Sequence, residues 1–181
     1  MPTPISNVEL AIIPYLCVTP ADEAIAFYIK AFGATEAERY TDPAGKIGHA
    51  ELHIGPIVLY LSDEWPEGNV YSPRKYGGVP LSLYLRCPNV DEVVARAVAA
   101  GAVVEREIVD QPYGDRSGTI IDPFGFRWFV ATPVEQVSVS EVQERVGEAY
   151  KVTGQDEADS QAHAGARPEE RRSIAASQHA T

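Results

Sequence analysis

The feature that most constrains the fold of this chain is an internal duplication. The stretch DEAIA at residues 22–26 is matched by DEVVA at residues 91–95, and each stretch runs down to a Gly-Ala pair. Farther along, Gly48 and Gly55 bracket a seven-residue step that recurs 70 positions later, beginning at Gly118. Open repeat arrays usually need at least three units, so two copies at this long period predict one domain built from two related halves.

Each half is predicted to run in the order strand, helix, strand, strand, strand. Breakers such as Pro20 and Gly33 separate runs rich in β-formers from one amphipathic helix per half. Tyr113 to Arg116 is predicted as a loop. The predicted strands are 10–18, 36–40, 49–54, 57–62, 81–87, 103–109, 119–122 and 126–132, and the predicted helices are 21–32 and 90–100.

The halves also set the predicted domain boundaries. Residues 153–181 contain Ile174 as their only large aliphatic residue, which is too little apolar surface to offset the entropy of ordering, so a disordered tail is expected there. The C-terminal helix is expected to be capped near Ser138 or Ser140. The predicted segments are an N-terminal extension at 1–8, a domain at 9–137 (module one 9–62, connection 63–79, module two 80–137), a helix at 138–152 and a tail at 153–181.

Charge and cysteine content argue against several classes of function. A net charge of −11 at pH 7 leaves no basic face for phosphates, so nucleic acid is not an expected partner. No apolar run approaches the length of a membrane span, and the N-terminus lacks signal-peptide features, so we expect a cytoplasmic protein with no membrane partner. Cys17 and Cys87 lack metal-ligand spacing and are predicted to be buried free thiols.

Two βαβββ halves, with GHAELHIG at residues 48–55 and YGDRSGTIIDPFGFRW at residues 113–128, resemble the vicinal oxygen chelate superfamily. That superfamily includes glyoxalase I, bleomycin-resistance proteins and extradiol dioxygenases, and the chain looks most like its PhnB-like branch. The resemblance covers about residues 10–137. It implies an α+β fold in which two tandem βαβββ modules form curled mixed sheets around a cavity, with helices outside, and it implies a homodimer.

The resemblance also identifies where a metal would bind. Glyoxalase-type members hold a divalent metal with four side chains, whose positions carry over to Pro14, Glu51, Ser82 and Phe129. Only Glu51 is a residue type that binds such metals, and Zn²⁺, Ni²⁺ and Fe²⁺ sites use three or four N, O or S ligands. We therefore expect no cofactor and no four-ligand site, with a divalent metal in an altered ligand set as the alternative.

The His-x-Glu-x-His triplet of His49, Glu51 and His53 is the sharpest polar feature of the chain. Strand side chains alternate, so the three are predicted on one face, and the carried-over role of Glu51 makes that face the cavity. One interpretation is a relocated metal site, or an acid–base site in which Glu51 and His49 are catalytic. The other is a polar strand without chemistry, which is favoured because residues two apart lie about 6 to 7 Å from each other.

Aromatic rings and a few polar groups around a cavity are typical of small-molecule recognition. Trp65 lies in the connection, which is predicted either to close over the cavity mouth or to pack its rings on the sheet edge. The residues predicted to contact a ligand are Glu51, Tyr84, Phe129, Ser82, His49, His53 and Trp65.

Three functions fit this pattern. The favoured one is a binding protein that sequesters an antibiotic or a metabolite, as bleomycin-resistance proteins do, because three of the four metal-ligand positions lack a ligand of the expected type. The second is a metal-dependent lyase, isomerase or dioxygenase built around Glu51. The third is a non-catalytic dimeric homologue with a structural or regulatory role.

Overall fold

The computed structural model describes residues 10–154. The predicted extension at 1–8 and all but the first two residues of the predicted tail lie outside the described residues. The chain divides into two compact units. The larger unit comprises the described residues up to Val109 together with Arg116–Thr132, and the smaller unit comprises Asp110–Asp115 and the described residues from Pro133 onward.

The first module forms a four-stranded mixed sheet, sheet one, whose order is β1-β4-β3-β2. Its first strand is parallel to the fourth, with Tyr15 beside Tyr60, and the other neighbours are antiparallel. The elements are β1 (Tyr15–Val18), α1 (Ala21–Phe32), β2 (Thr35–Thr41), β3 (Ile47–Ile54) and β4 (Ile57–Asp63).

The second module repeats this topology in sheet two, whose order is β5-β8-β7-β6 and whose first and last strands are again parallel. The connection contains a 3₁₀ turn at Pro66–Gly68 and a one-turn helix, α2 (Pro73–Tyr76). The predicted duplication and fold class are therefore confirmed. The elements of the second module are β5 (Ser82–Arg86), α3 (Val90–Ala99), β6 (Val103–Asp110), β7 (Asp115–Ile121) and β8 (Arg127–Pro133).

Each sheet has one face buried toward the helices and one open face. In β3 the buried residues Ala50, Leu52 and Ile54 alternate with half-buried or exposed ones, as strand geometry requires. The buried faces and the two helices α1 and α3, which pack on each other, form one hydrophobic core. Phe126 and Trp128 belong to this core.

A buried hydrogen-bond cluster joins the two modules. The carboxylate of Asp122 accepts from the Tyr28 hydroxyl at 2.8 Å and from Trp128 Nε1 at 2.9 Å, and also from the backbone amides of Phe124 and Phe126. Burial raises the pKa of Asp122, although these donors act to lower it. The Asp122 side chain thus links α1 to the turn between β7 and β8.

Two predicted strand starts differ clearly from the structure. The first strand begins at Tyr15 rather than Leu10, because Pro14 has no N–H to continue the ladder and contributes only its carbonyl, which accepts from Tyr60. Leu10 and Ile12 are almost fully exposed as a result. β7 begins at Asp115 within the predicted loop, and there the Arg116 side chain makes two 2.9 Å bonds to Asp91 at the start of α3.

The matched glycines also turn out to have different roles. A Cβ at Gly118 would lie 2.9 Å from the carbonyl oxygen of Arg106 in the adjacent strand β6, whereas a Cβ at the exposed Gly48 would lie 4.0 Å from that of Tyr40, an ordinary contact. The turn between β3 and β4 has two residues, since Ile54 pairs with Ile57, but the turn between β7 and β8 runs from Asp122 to Phe126. Because the two hairpin turns differ in length, residues 70 positions apart do not occupy equivalent places in the two modules. The equal spacing of the glycines therefore does not make them structurally equivalent.

The smaller unit contains α4 (Val139–Val146), followed by a 3₁₀ turn at Gly147–Ala149. Ser138 and Glu141 form a capping box at its start, which selects the first of the two predicted N-caps. Arg145 makes two 2.7 Å bonds to the carboxylate of Glu135 within the same unit. The helices of residues 10–154 are all too short or too polar to cross a lipid bilayer.

Candidate functional site

The triplet lies on the open face of sheet one, as predicted, but its members bond to their neighbours instead of converging on one point. His53 Nε2 lies 2.6 Å from Glu51 Oε1, and both side chains are partly exposed. His49 Nδ1 lies 2.8 Å from the hydroxyl of Tyr15 on β1. The rings around His49 are stacked or edge-on at centroid distances of 4.9 to 5.6 Å and belong to Tyr15, Tyr40 and Tyr60.

The residues present do not fit the metal site of glyoxalase-type members. Pro14 and Phe129 have no side-chain donor, and Pro14 precedes β1 while Tyr15 takes the first open-face position of that strand. Glu51 bonds to His53, and nothing in the described part of the chain brings three His, Cys, Asp or Glu side chains together around one point. No reaction step can therefore be derived through a bound metal.

Three further predicted contacts, Ser82, Tyr84 and Phe129, lie on the open face of sheet two. Tyr84 pairs in register with Phe129, and their rings stack at a centroid distance of 6.3 Å. Ser82 pairs with Arg127, whose guanidinium makes bonds of 2.6 and 2.8 Å to Glu105. Sheet two thus presents an exposed aromatic pair, separate from the His49 cluster of sheet one.

A cavity of about 880 Å³ lies at one end of the open face of sheet one, and its lining includes Trp65 and Val70 of the connection. We call it the Trp65 cavity. Its volume is within the range of small-molecule sites, about 300 to 1,000 Å³. Trp65 is the predicted contact that lines it, whereas Glu51, Ser82, Tyr84, Phe129 and the two other histidine-triplet positions do not. The lining residues are Tyr15, Cys17, Tyr40, Thr41, Asp42, Lys46, Ile47, Gly48, Ser62, Asp63, Glu64, Trp65 and Val70.

The connection holds Trp65 at the cavity wall. Trp65 and Val70 exchange backbone hydrogen bonds of 2.8 and 3.0 Å, which closes a small hairpin. Gly68 sits against the indole, and a Cβ at that position would overlap the ring. The structure places Trp65 in the lining of this cavity, and its contact with a ligand stays a prediction.

A second clamp fixes the base of this hairpin. Glu64 Oε1 accepts from the backbone amide of Ser72 at 2.9 Å and from its hydroxyl at 2.5 Å, and Ser72 is fully buried. These bonds lower the pKa of Glu64, so its carboxylate is ionised at neutral pH. The segment from Glu64 to Ser72 is thus closed by two pairs of contacts, Glu64 with Ser72 and Trp65 with Val70.

Three carboxylates line the cavity, those of Asp42, Asp63 and Glu64. Asp63 accepts from the backbone amides of Ala21 and Ile47, and so links α1 and β3 to the end of β4. Burial raises the pKa of the Cys17 thiol to about 11, and the negative charges of Glu64 and Asp63 add to the effect. Both cysteines are free, as predicted, but they are only partly buried.

Sequence reasoning missed most of the cavity lining, including Tyr15, Cys17 and Tyr40. The signal for the first two was alternation in β1, where buried Leu16 and Val18 are interleaved with Tyr15 and Cys17. Carrying Pro14 over as a cavity position placed that strand one residue out of phase. Tyr40 lies on a strand that is exposed along its whole length, and its burial pattern gives no comparable signal.

Comparison with known proteins gives a consistent result. A chain from Mycobacterium bovis, Mb0911c, is 41% identical over 140 residues, which are 76% of this chain and 92% of the relative. The crystal structure of PA1353 from Pseudomonas aeruginosa has 27% identity and a TM-score of 0.57, covering 70% of this chain and all of that chain. TnmS3, an antibiotic binding protein from Streptomyces sp. CB03234, shares the fold at 21% identity and a TM-score of 0.53, covering 71% of this chain and 99% of its own.

The family model for glyoxalase, bleomycin resistance and dioxygenase proteins matches residues 10–130. This range spans both βαβββ modules and the Trp65 cavity. The match and the topology agree, and the chain belongs to the glyoxalase/bleomycin resistance protein/dioxygenase superfamily.

Proposed function

We propose that the protein binds a small, partly aromatic molecule in the Trp65 cavity and holds it without transforming it. The observation that carries this proposal is the cavity of about 880 Å³ with the rings of Tyr15, Tyr40 and Trp65 in its lining. Aromatic rings contribute large apolar contact areas and favour flat ligands. An antibiotic or a metabolite would be the ligand class, by analogy with the antibiotic binding protein that shares the fold.

Binding is favoured over catalysis by the hydrogen bonding of the polar groups. General acid–base work needs a group aimed at the reacting atom. Glu51 and His53 instead bond to each other, His49 bonds to Tyr15, and none of the three lines the Trp65 cavity. The three carboxylates that line the cavity, those of Asp42, Asp63 and Glu64, accept backbone amide bonds, which fix them as parts of the wall.

A thermal-shift screen of metabolites, antibiotics and divalent metals tests this proposal. A ligand at one hundred times its dissociation constant should stabilise the folded state by about 2.7 kcal/mol if it binds that state only. Trp65→Ala and Tyr40→Ala should abolish the shift. Tyr76→Ala, which removes an exposed ring outside the Trp65 cavity, is the matched control and should leave the shift intact.

The same screen separates the alternatives. Stabilisation by Zn²⁺, Ni²⁺ or Mn²⁺ that is lost in Glu51→Ala would replace the proposal with a metal-dependent enzyme. A shift from no compound would favour the structural or regulatory homologue. The contacts of Glu51, Ser82, Tyr84 and Phe129 with a ligand remain predictions, and alanine variants in the same screen test them.

Three further expectations remain proposals. Placement in the PhnB-like branch is a finer assignment than the superfamily, and a phylogeny of aligned relatives tests it. A homodimer is implied by the resemblance, and sedimentation velocity of the full chain tests it. A cytoplasmic location agrees with the two free cysteines, which persist in reducing compartments, and fractionation of the source cells tests it.

A further inference from the structure

We propose that the ligand of the Trp65 cavity is a small organic cation, an ammonium or protonated amine carried on an apolar body. The proposal rests on the proposed binding function and names the chemical class that the same cavity selects. Four observations carry it: the sign of the lining charges, the way those charges are held, the state of a thiol among them, and the aromatic rings.

The lining carries more negative than positive charge. Its negatively charged side chains are Asp42, Asp63 and Glu64, and its positively charged side chain is Lys46. In a cavity partly shielded from water, opposite charges attract and like charges repel more strongly than in bulk solvent. The lining as a whole therefore favours a cation over a neutral molecule, and a neutral molecule over an anion.

The carboxylates are held in place by neutral donors. Asp42 Oδ1 accepts from the amides of Ala44 and Lys46, both at 2.9 Å. Asp63 accepts from two backbone amides, and Glu64 accepts from Ser72. Such bonds fix the position of the carboxylates without cancelling their charge, because their donors are neutral. The charges are therefore already oriented when a ligand enters.

Cys17 reports the sign of the potential inside the cavity. Burial is the largest cause of the raised pKa of its thiol. The negative charges of Glu64 and Asp63 raise that pKa further, and Lys46, which lowers it, has the smallest effect of the three charges. The charges that disfavour a thiolate at that position also disfavour any other anion there. The balance of charges at the sulfur is thus negative, in agreement with the composition of the lining.

The aromatic rings act in the same direction. Tyr15, Tyr40 and Trp65 all line the cavity, and the negative face of an aromatic ring attracts a cation, most strongly for Trp. The Trp65 indole is held against Gly68, so its face is fixed. The net charge of −11 adds a long-range attraction that raises the concentration of cations near the surface.

Three probes with the same ring system test the inference. They are (1-naphthylmethyl)trimethylammonium, 1-naphthylmethanol and 1-naphthylmethanesulfonate, titrated into the full chain at low and at physiological ionic strength with calorimetry as the readout. The cation should bind about three- to tenfold more tightly than the alcohol at low salt, and the sulfonate should bind most weakly. Added salt should lower the affinity for the cation and leave the affinity for the alcohol unchanged.

Charge-neutral variants locate the effect. Glu64→Gln keeps an acceptor for Ser72 and should lower the affinity for the cation about three- to tenfold without changing that for the alcohol. Lys46→Gln should raise the affinity for the cation. Glu67→Gln removes the same charge from the same connection at a residue outside the cavity lining, and it should change neither affinity.

The outcomes distinguish the two proposals. Binding of none of the probes would overturn the binding function of the cavity, and this inference with it. Equal binding of the cation and the alcohol would overturn the charge preference and leave the binding function standing. An equal loss of cation affinity in Glu64→Gln and Glu67→Gln would also overturn the inference, because the preference would then come from the overall charge of the protein.

Discussion

The hydroxyl of Tyr28 on α1 donates a 2.8 Å hydrogen bond to the carboxylate of Asp122, which lies in the turn between β7 and β8 of the second module. Both residues are buried, and Tyr28 is completely so. Burial raises the pKa of Tyr28, and Asp122 raises it further, so the phenol stays a donor at every ordinary pH. The two modules are therefore joined by a polar bond inside an apolar core.

Removing this bond should destabilise the protein without changing its fold. Tyr28→Phe leaves Asp122 with the Trp128 and backbone donors and should cost about 1 to 2 kcal/mol of unfolding free energy. Asp122→Ala leaves buried donors unpaired and should cost about 3 to 5 kcal/mol. Urea unfolding measures both. Tyr76→Phe removes a hydroxyl from an exposed ring and should change the stability little.

The raised pKa of Asp122 makes the stability depend on pH in an unusual direction for a carboxyl group. Its folded-state pKa lies above the unfolded value of about 3.9, so the folded state binds the proton more tightly. The contribution of this group is fully present below the unfolded pKa and is lost as the pH rises through the folded pKa.

Urea unfolding of wild type and Asp122→Asn from pH 3.5 to pH 7 tests this sign. The advantage of the wild type should narrow as the pH rises above about 3.9, because other carboxylates titrate in both proteins and cancel in the difference. A gap that widens over that interval would show that the folded state prefers the ionised form of Asp122.

Gly68→Ala should displace Trp65 from the cavity wall. The backbone of Gly68 lies outside the left-handed region, so alanine is compatible with the chain conformation and the added Cβ acts through overlap with the indole. We expect at least a tenfold loss of affinity for any ligand found in the screen, with little loss of stability. Glu67→Ala changes the neighbouring exposed residue and is the control.

Ser72→Ala should loosen the hairpin that carries Trp65. The variant loses the hydroxyl bond to Glu64 and keeps the backbone bond, which should cost about 1 to 2 kcal/mol locally. Hydrogen exchange of the amides of Asn69 and Val70, both bonded within the hairpin, should quicken. Amides of β3 should keep their rates, and faster exchange there would indicate global destabilisation instead.

The topology could be predicted because a duplication and the alternation of strand residues can both be read directly from the sequence. The helix pattern around Tyr28 and the alternation of His49, Glu51 and His53 are visible without coordinates, and the structure reproduces both. Strand ends were less predictable. Pro14 and Arg116 set them through a missing backbone donor and a side-chain bond to a distant helix.

The cavity was the least predictable feature. Trp65 reaches it through a hairpin closed by Val70 and seated on Gly68, and these contacts depend on turn geometry inside a 17-residue connection predicted at 63–79. Tyr15 was not predicted as a cavity residue, because the metal-ligand position of the family was carried over to its neighbour, Pro14. Asp63 and Glu64 were assigned to the connection, so their approach to Cys17 could not be foreseen.

The Cys17 thiol gives the cavity one chemical property that its shape does not show. With a pKa of about 11, roughly one molecule in ten thousand carries a thiolate there at neutral pH. Alkylation and oxidation both proceed through the thiolate, so a reactive guest would meet an almost inert sulfur. A ligand with an electrophilic group would therefore dissociate without alkylating Cys17, and the protein would stay unmodified through repeated cycles of binding.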